Sequence, residues 1–309
     1  MSDTFTDKLA CPACARADLL DTSARTYVAP FNNKKYTLHR CKNCGLGFWT
    51  PLQIDPLFYE DEGFEAYSDY HLGERPFPPW CVLFFDKMAQ RSGKLLDVGC
   101  GDGAFLARAK SFGFEVWGID LDKNSVKAAK TRFGLDNVTH SSLQAFVRHC
   151  HEQGLTFDVI TFFEVLEHQD KPGEFVEQVL SILNPGGHIA GSVPNGRRLT
   201  ACLDRRISAG DLPPHHFLWF SATTVSSLLS RMRLSAILVY PSGNIPYAQL
   251  RLKLSAFLAT KLFGLIVPTK AHWVLLAPAV EICSLLLWSL FKFAPAHLYF
   301  QAQFAARSR

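Results

Sequence analysis

Charge is scarce in this 309-residue sequence: 19% of residues are Asp, Glu, Lys or Arg, against 48% hydrophobic. That balance excludes an intrinsically disordered chain, which stays unfolded through high charge and little apolar surface. The opening stretch, "MSDTFTDKLACPAC", lacks a basic run followed by an apolar core, so no secretory leader is expected. The nine cysteines are therefore expected in a reducing, cytoplasmic setting, where close pairs serve metals more often than disulfides. No clean membrane span is legible either. The best run, "WVLLAPAVEICSLLLWSLFKF", carries Pro278 and a central Glu281, which would be costly in a bilayer. At this length the expectation is one large domain with appendages.

What is present begins with two C-x2-C knuckles, Cys11/Cys14 and Cys41/Cys44, 26 residues apart. Four soft thiolates in two such pairs suit a tetrahedral zinc ion and leave no open coordination position, so a structural zinc is expected. Between them "TYVAPFNNKKYTLHR" alternates apolar and polar residues around a turn, the pattern of a zinc-ribbon hairpin. The other five cysteines, Cys81, Cys100, Cys150, Cys202 and Cys283, read as small apolar residues. Residues 51–80 are rich in aromatics and acids and read as a linker or a lid.

From Lys94 short apolar strands alternate with amphipathic helices: "KLLDVG", "EVWGID", "NVTH", "FDVITFF" and "HIAGSV" are the strands. Such alternation predicts an α/β domain, a doubly wound and mostly parallel sheet over residues 81–244. Ligands of these sheets sit beyond the carboxyl ends of the strands. "LLDVGCGDGAFL" spaces its glycines G-x-G-x-G rather than G-x-G-x-x-G, with Asp97 inside the strand end. An acid there repels a pyrophosphate but can hold an ammonium group, and Asp120 closes the second strand, where a carboxylate can accept ribose hydroxyls. S-adenosylmethionine has both groups and no phosphate. The glycines let the loop approach the nucleoside closely.

These residues resemble the class I S-adenosylmethionine-dependent methyltransferases over about residues 80–240. The likeness lies in "LLDVGCGDGAFL", "VWGIDLD", "FDVITFFEVLEHQDKP" and "LNPGGHIAGSVPN". It is nearest to the ubiquinone-type and sugar methyltransferases, some of which also begin with a four-cysteine zinc motif. The resemblance implies that Asp97, Gly99, Gly101 and Asp120 contact the cofactor, with Glu164 lining the pocket. The family often places an Asp after the third strand for the adenine amine; here "THSSLQ" offers Ser142 or a backbone carbonyl.

For the acceptor, "EVLEH" supplies Glu164, Glu167 and His168, and helical spacing would put Glu164 and His168 on one face as a base and its orienter. "DLPPHHFLWFS" adds His215 and His216, with Ser221 as the cap of the following helix. His216, His215 and His168 are therefore the catalytic candidates, although methyl transfer can also run on alignment alone. "LSAILVYPS" reads as strand six, and no seventh strand is legible. After Asn195 the chain has thirteen Lys/Arg against three Asp/Glu, whereas the preceding residues have nineteen against twenty-five. Residues 245–309 thus read as a basic, apolar helical tail. The expected role is peripheral attachment to the cytoplasmic face of a membrane, through Arg251, Lys253, Lys261, Lys270 and Lys292, or else homodimerisation. The function expected is methylation of a glycan, lipid-linked sugar or isoprenoid-type acceptor, with no nucleic-acid partner. The alternatives are a soluble small-molecule methyltransferase with a dimerising tail and a non-catalytic zinc-ribbon module.

Overall fold

The computed structural model describes residues 9–54, 76–90, 92–198, 200–201, 204–205, 209–244, 250–255, 280–286 and 295–305. The strands are β1 (Leu20–Val28), β2 (Lys35–Cys41), β3 (Gly47–Thr50), β4 (Gly93–Val98), β5 (Phe114–Asp120), β6 (Val138–His140), β7 (Phe157–Phe163), β8 (Leu183–Pro194), β9 (Leu218–Trp219), β10 (Leu234–Asn244) and β11 (Pro295–Phe304). The helices are α1 (Pro79–Lys87), α2 (Ala104–Ser111), α3 (Lys123–Phe133), α4 (Leu143–Gln153), α5 (Pro172–Ser181) and α6 (Ala222–Arg231). Local chemistry sets several of these ends. Asp122 caps α3 by accepting from the amides of Asn124 and Ser125, and Gly134 closes it in the left-handed conformation. Ser221 caps α6 as expected, accepting from Thr224 N–H; such caps supply acceptors for amides that the helix leaves unpaired.

The central sheet has seven strands in the order β10-β11-β8-β7-β4-β5-β6. The ladders β7–β8, β4–β7, β4–β5 and β5–β6 are parallel, and β11 runs antiparallel to both neighbours. Parallel strands need helical crossovers, and α2 to α5 supply them. All the parallel strands therefore end on one edge, where Gly99, Leu121, Glu164 and Asn195 begin the loops after β4, β5, β7 and β8.

Strand β11 corrects the reading of residues 245–309 as a helical tail. "PAHLYFQAQF" lies between β8 and β10, with Leu298, Tyr299, Phe300 and Ala302 buried. The segment was hard to see because it follows a long apolar run and is packed on both faces, so its own alternation is weak. Short helical turns occupy 250–255 and 280–286, whereas 256–279, 287–294 and most of the 51–80 linker (55–75) lie outside the described residues. Among the described residues no helix is long and apolar enough to cross a membrane.

A second sheet, β1-β2-β3-β9, is antiparallel. The expected ribbon hairpin is there as β1 and β2, turning through "PFNNKK" where Ala29 N–H donates to Lys34 O. Its last strand, β9, comes from the α/β part of the chain: Phe48 pairs with Leu218 and Gly47 with Trp219. Trp49 packs edge-on against Trp219 at 5.5 Å, and Thr224 Oγ1 donates to Cys44 O at 2.8 Å. Ribbon and central sheet thus share one continuous core.

Phe300, fully buried and packed at a tilt against Phe162 at 5.6 Å, should anchor β11. Phe300→Ala is expected to cost about 3–5 kcal/mol of stability. Urea unfolding measures this, and an unchanged midpoint would show that β11 is not part of the folded core.

Candidate active site

The loop after β4 is shaped by backbone conformation first. Gly99, Gly101 and Gly103 have φ of 76°, 52° and 80°, a region that side chains disfavour. A Cβ on Gly99 would sit 2.7 Å from Val165 Cγ2, and one on Gly103 would sit 2.8 Å from Ala129 Cβ. The turn is pinned to β5 by Gly99 N–H and Cys100 N–H, both donating to Ile119 O. Asp120 braces it from below: its Oδ2 accepts from Gly101 N–H and its Oδ1 from Asp122 N–H, both at 2.8 Å. Each oxygen retains a second lone pair for a hydroxyl donor. Asp97 is buried, with Oδ1 accepting from Thr161 Oγ1 at 2.7 Å. Burial raises its pKa well above the usual carboxylate value, the Thr161 bond opposing. Ser142 caps α4 through Ala145 N–H. A bare left-handed turn beside two carboxyl groups at adjacent strand ends fits a ligand with hydroxyl and ammonium donors better than a phosphate.

Beyond β7, Glu164 holds a left-handed backbone (φ 55°), which swings its side chain toward the strand ends of β8 and β11. Oε1 accepts from Ser192 Oγ at 2.7 Å, and Oε2 lies 3.5 Å from His297 Nε2. Burial raises Glu164 to about 7, with the Ser192 bond and Arg198 opposing. His297 is lowered to about 4, by burial first and then by Arg198, His216 and Lys253; Trp80 packs on its ring at 4.5 Å. Glu164 therefore does not share a helical face with His168, because the positive φ at 164 and the 3-10 turn Leu166–His168 send the two side chains apart. Its partner is His297, which the sequence concealed within β11.

The three candidate histidines do come together. His215 and His216 stack at 4.3 Å, and His168 faces both at 4.7 Å. His168 Nδ1 donates to His215 O at 2.6 Å, and His215 Nδ1 donates to Gly210 O at 2.7 Å. Burial lowers His168 well below its usual value and His215 to about 3, with His216 adding to both. Between the rings lies Glu167, 1% exposed, with Oε1 at 3.9 Å from Nε2 of both His168 and His216. Behind His216 is a buried ion network. Asp211 accepts from Arg205 at 2.7 Å and lies 3.2 Å from Arg198; Asp204 takes Arg198 at 2.8 Å and Lys253 at 2.6 Å. Burial would raise the Asp211 carboxyl, but His216, Arg198 and Arg205 together hold it below the carboxylate range.

The four ribbon cysteines also converge. Cys11 and Cys44 sulfurs are 3.6 Å apart, those of Cys14 and Cys41 3.5 Å, and all four lie within 4.8 Å of one another. Thiolates at about 2.3 Å around a tetrahedral zinc would be about 3.8 Å apart, so the set fits that ion.

Comparison with known proteins agrees with this geometry. The model of a family described as "Methyltransferase domain" matches residues 75–235. The ubiquinone biosynthesis O-methyltransferase of Proteus mirabilis is 33% identical over 103 residues, covering 33% of this chain and 42% of that protein. Its namesake in Paraburkholderia xenovorans is 34% identical over 120 residues, covering 38% and 51%. The chain thus spans about half or less of the length of these relatives. A Haemonchus contortus phosphoethanolamine N-methyltransferase 2, solved with phosphomonomethylethanolamine and S-adenosylhomocysteine, shares the fold. Its TM-score is 0.52 at 16% identity, covering 84% of this chain and 62% of that one. With the glycine turn, the paired strand-end acids and a seven-stranded sheet with one antiparallel strand, the chain belongs to the methyltransferase-domain family, in the class I S-adenosylmethionine-dependent arrangement.

Proposed function

We propose that this chain transfers a methyl group from S-adenosylmethionine to the hydroxyl oxygen of a small isoprenoid-type acceptor. The observation that carries the reading is Glu164: a partly buried carboxyl raised to about 7, beside the glycine turn, at the edge where the parallel strands end. The O-methyltransferase names of the relatives support oxygen as the acceptor atom and an isoprenoid-type rather than a glycan acceptor. In this reading Asp120 holds the ribose hydroxyls, Asp97 attracts the ammonium group, and Gly99 and Gly101 leave room above the turn. Bound S-adenosylmethionine supplies an electrophilic methyl group. Glu164 takes the acceptor's hydroxyl proton, positioned by Ser192 and His297, because a base works best with a pKa near the working pH. His168 and His215, lowered by burial, are poor bases at neutral pH, which favours Glu164 over these two as the proton acceptor. The ribbon cysteines hold one structural zinc.

Exposed apolar residues support a second feature, attachment to a membrane surface. Leu252 and Ile282 are each 60% exposed on the turns 250–255 and 280–286, which Arg251 and Glu281 tie together at 2.8 Å. The headgroup role expected of the basic residues needs revision, since Arg251 and Lys253 are engaged in ion pairs with Glu281 and Asp204. Lys261, Lys270 and Lys292 lie outside the described residues.

Asp120→Ala should weaken S-adenosylmethionine and S-adenosylhomocysteine alike, by about 1–3 kcal/mol in calorimetry; unchanged affinity for either removes Asp120 from the site. With isotope-labelled methyl donor, isoprenoid-tailed phenols should accept label and free glycans should not. The rate should fall as pH drops through about 7, where Glu164 gains its proton. Glu164→Gln should abolish that limb, and a wild-type profile flat from pH 6 to pH 8, roughly a unit either side, would exclude Glu164 as base. Metal analysis should find about one zinc per chain, lost in Cys41→Ser; metal-free folded protein would refute the zinc reading.

A further inference from the structure

Three imidazoles and a carboxylate form a second constellation with metal-ligand chemistry, separate from the ribbon cysteines. One ring nitrogen from each of His168, His215 and His216 lies within 4.8 Å of the others. Leu212 O accepts from the amides of both His215 and His216, a tight turn that sets these consecutive side chains parallel. The 3-10 turn after β7 brings His168 in from the opposite side. Two chain segments about fifty residues apart thus aim imidazoles at one point.

The tautomers follow from the hydrogen bonds. A carbonyl oxygen only accepts, so Nδ1 of His168 and Nδ1 of His215 carry protons toward His215 O and Gly210 O. The carboxylate of Asp211, 3.4 Å from His216 Nδ1, favours the same arrangement there. In a neutral imidazole the proton on Nδ1 makes Nε2 the electron-pair donor. This is the outer arrangement seen around metal-bound histidines, in which the far nitrogen donates to a carbonyl or carboxylate and fixes the ring.

Glu167 supplies an independent pointer. Its carboxylate is buried, and neither oxygen has a hydrogen-bond partner. Among the described residues its ion-pairing neighbours are the two Nε2 atoms at 3.9 Å. The nearby guanidinium groups of Arg198 and Arg205 are engaged with Asp204 and Asp211. A buried carboxylate without a cation or donor is costly. Three imidazoles and a buried carboxylate facing one another are a donor set that a bound cation would satisfy.

We propose that His168, His215, His216 and Glu167 bind a divalent transition-metal ion. Imidazole with one carboxylate favours the borderline ions, zinc, iron(II), cobalt and nickel, over magnesium or calcium. Ligands at about 2.1 Å from such an ion would stand about 3.0–3.4 Å apart, so the three rings, whose nitrogens lie within 4.8 Å of one another, need to move inward by less than about an ångström. The site stands independently of the acceptor reading, because it rests on donors alone.

The test uses full-length protein whose cysteine site is already filled with zinc. Cobalt(II) titration should show about one further equivalent bound, with a ligand-field spectrum lacking thiolate-to-cobalt charge transfer. His215→Ala/His216→Ala should abolish that spectrum, and Glu167→Gln should weaken cobalt by about tenfold or more, both with zinc content and thermal unfolding retained. Should either variant fail to fold, nitrogen-15 histidine NMR of the wild-type protein decides: zinc(II) addition must shift the Nε2 resonances of all three residues. Absence of a second equivalent in folded wild-type protein, unmoved histidine resonances, or cobalt binding that survives the double variant overturns the proposal.

Discussion

Parallel pairing of β4, β5, β7 and β8 is the constraint on which the chemistry depends. Because these strands run the same way, their ends meet on one edge, and the main-chain ladders make neighbours of residues far apart in sequence. Asp97 and Asp120 end adjacent strands; Thr161, paired opposite Asp97 on β7, supplies the bond that anchors it. Main-chain ladders set the positions of the site, and side chains adjust within them. Burial then does the electrostatic work. Glu164 rises to about 7 because few polar groups offset its removal from water.

The antiparallel strand β11 completes this edge in a way the parallel strands cannot. Running against β8, it begins rather than ends at the chemical edge, and so delivers His297 opposite Pro194, within reach of Glu164. An antiparallel strand inserted beside a parallel one brings residues from its amino-terminal end into a site otherwise built from carboxyl-terminal loops. The ribbon reaches the same neighbourhood from another direction. Strand β9 starts two residues after His216 and is held by β3, so the cysteine cluster braces the histidine turn through a short ladder and the Trp49–Trp219 contact. The buried ions Asp211, Arg198 and Asp204, with the partly exposed Lys253, continue that bracing to the turn at 250–255.

Much of this was legible in the residues themselves. Short apolar runs alternating with period-3.6 patterns locate β4 to β8 and the helices between them, because each element repeats its burial preference several times. The glycine turn, the acids at strand ends and the two cysteine knuckles are local: backbone conformation, strand termination and thiolate spacing are decided within a few residues. Strand β11 defeated the pattern, since a strand buried on both faces beside an apolar run has too little contrast. Its aromatic-rich "HLYFQAQF" after Pro295 was the available signal.

Short-range chemistry that survives without tertiary context therefore decided the fold class, the glycine turn after β4 and the four cysteines. The tertiary structure alone decided the pairing of Glu164 with His297 and Ser192, the meeting of His168 with His215 and His216 around Glu167, and the joining of ribbon to sheet through β9. Each of those depends on where a crossover or an inserted strand returns the chain. That return is set by ladder register and core packing summed over the whole sheet, which no single stretch of residues encodes.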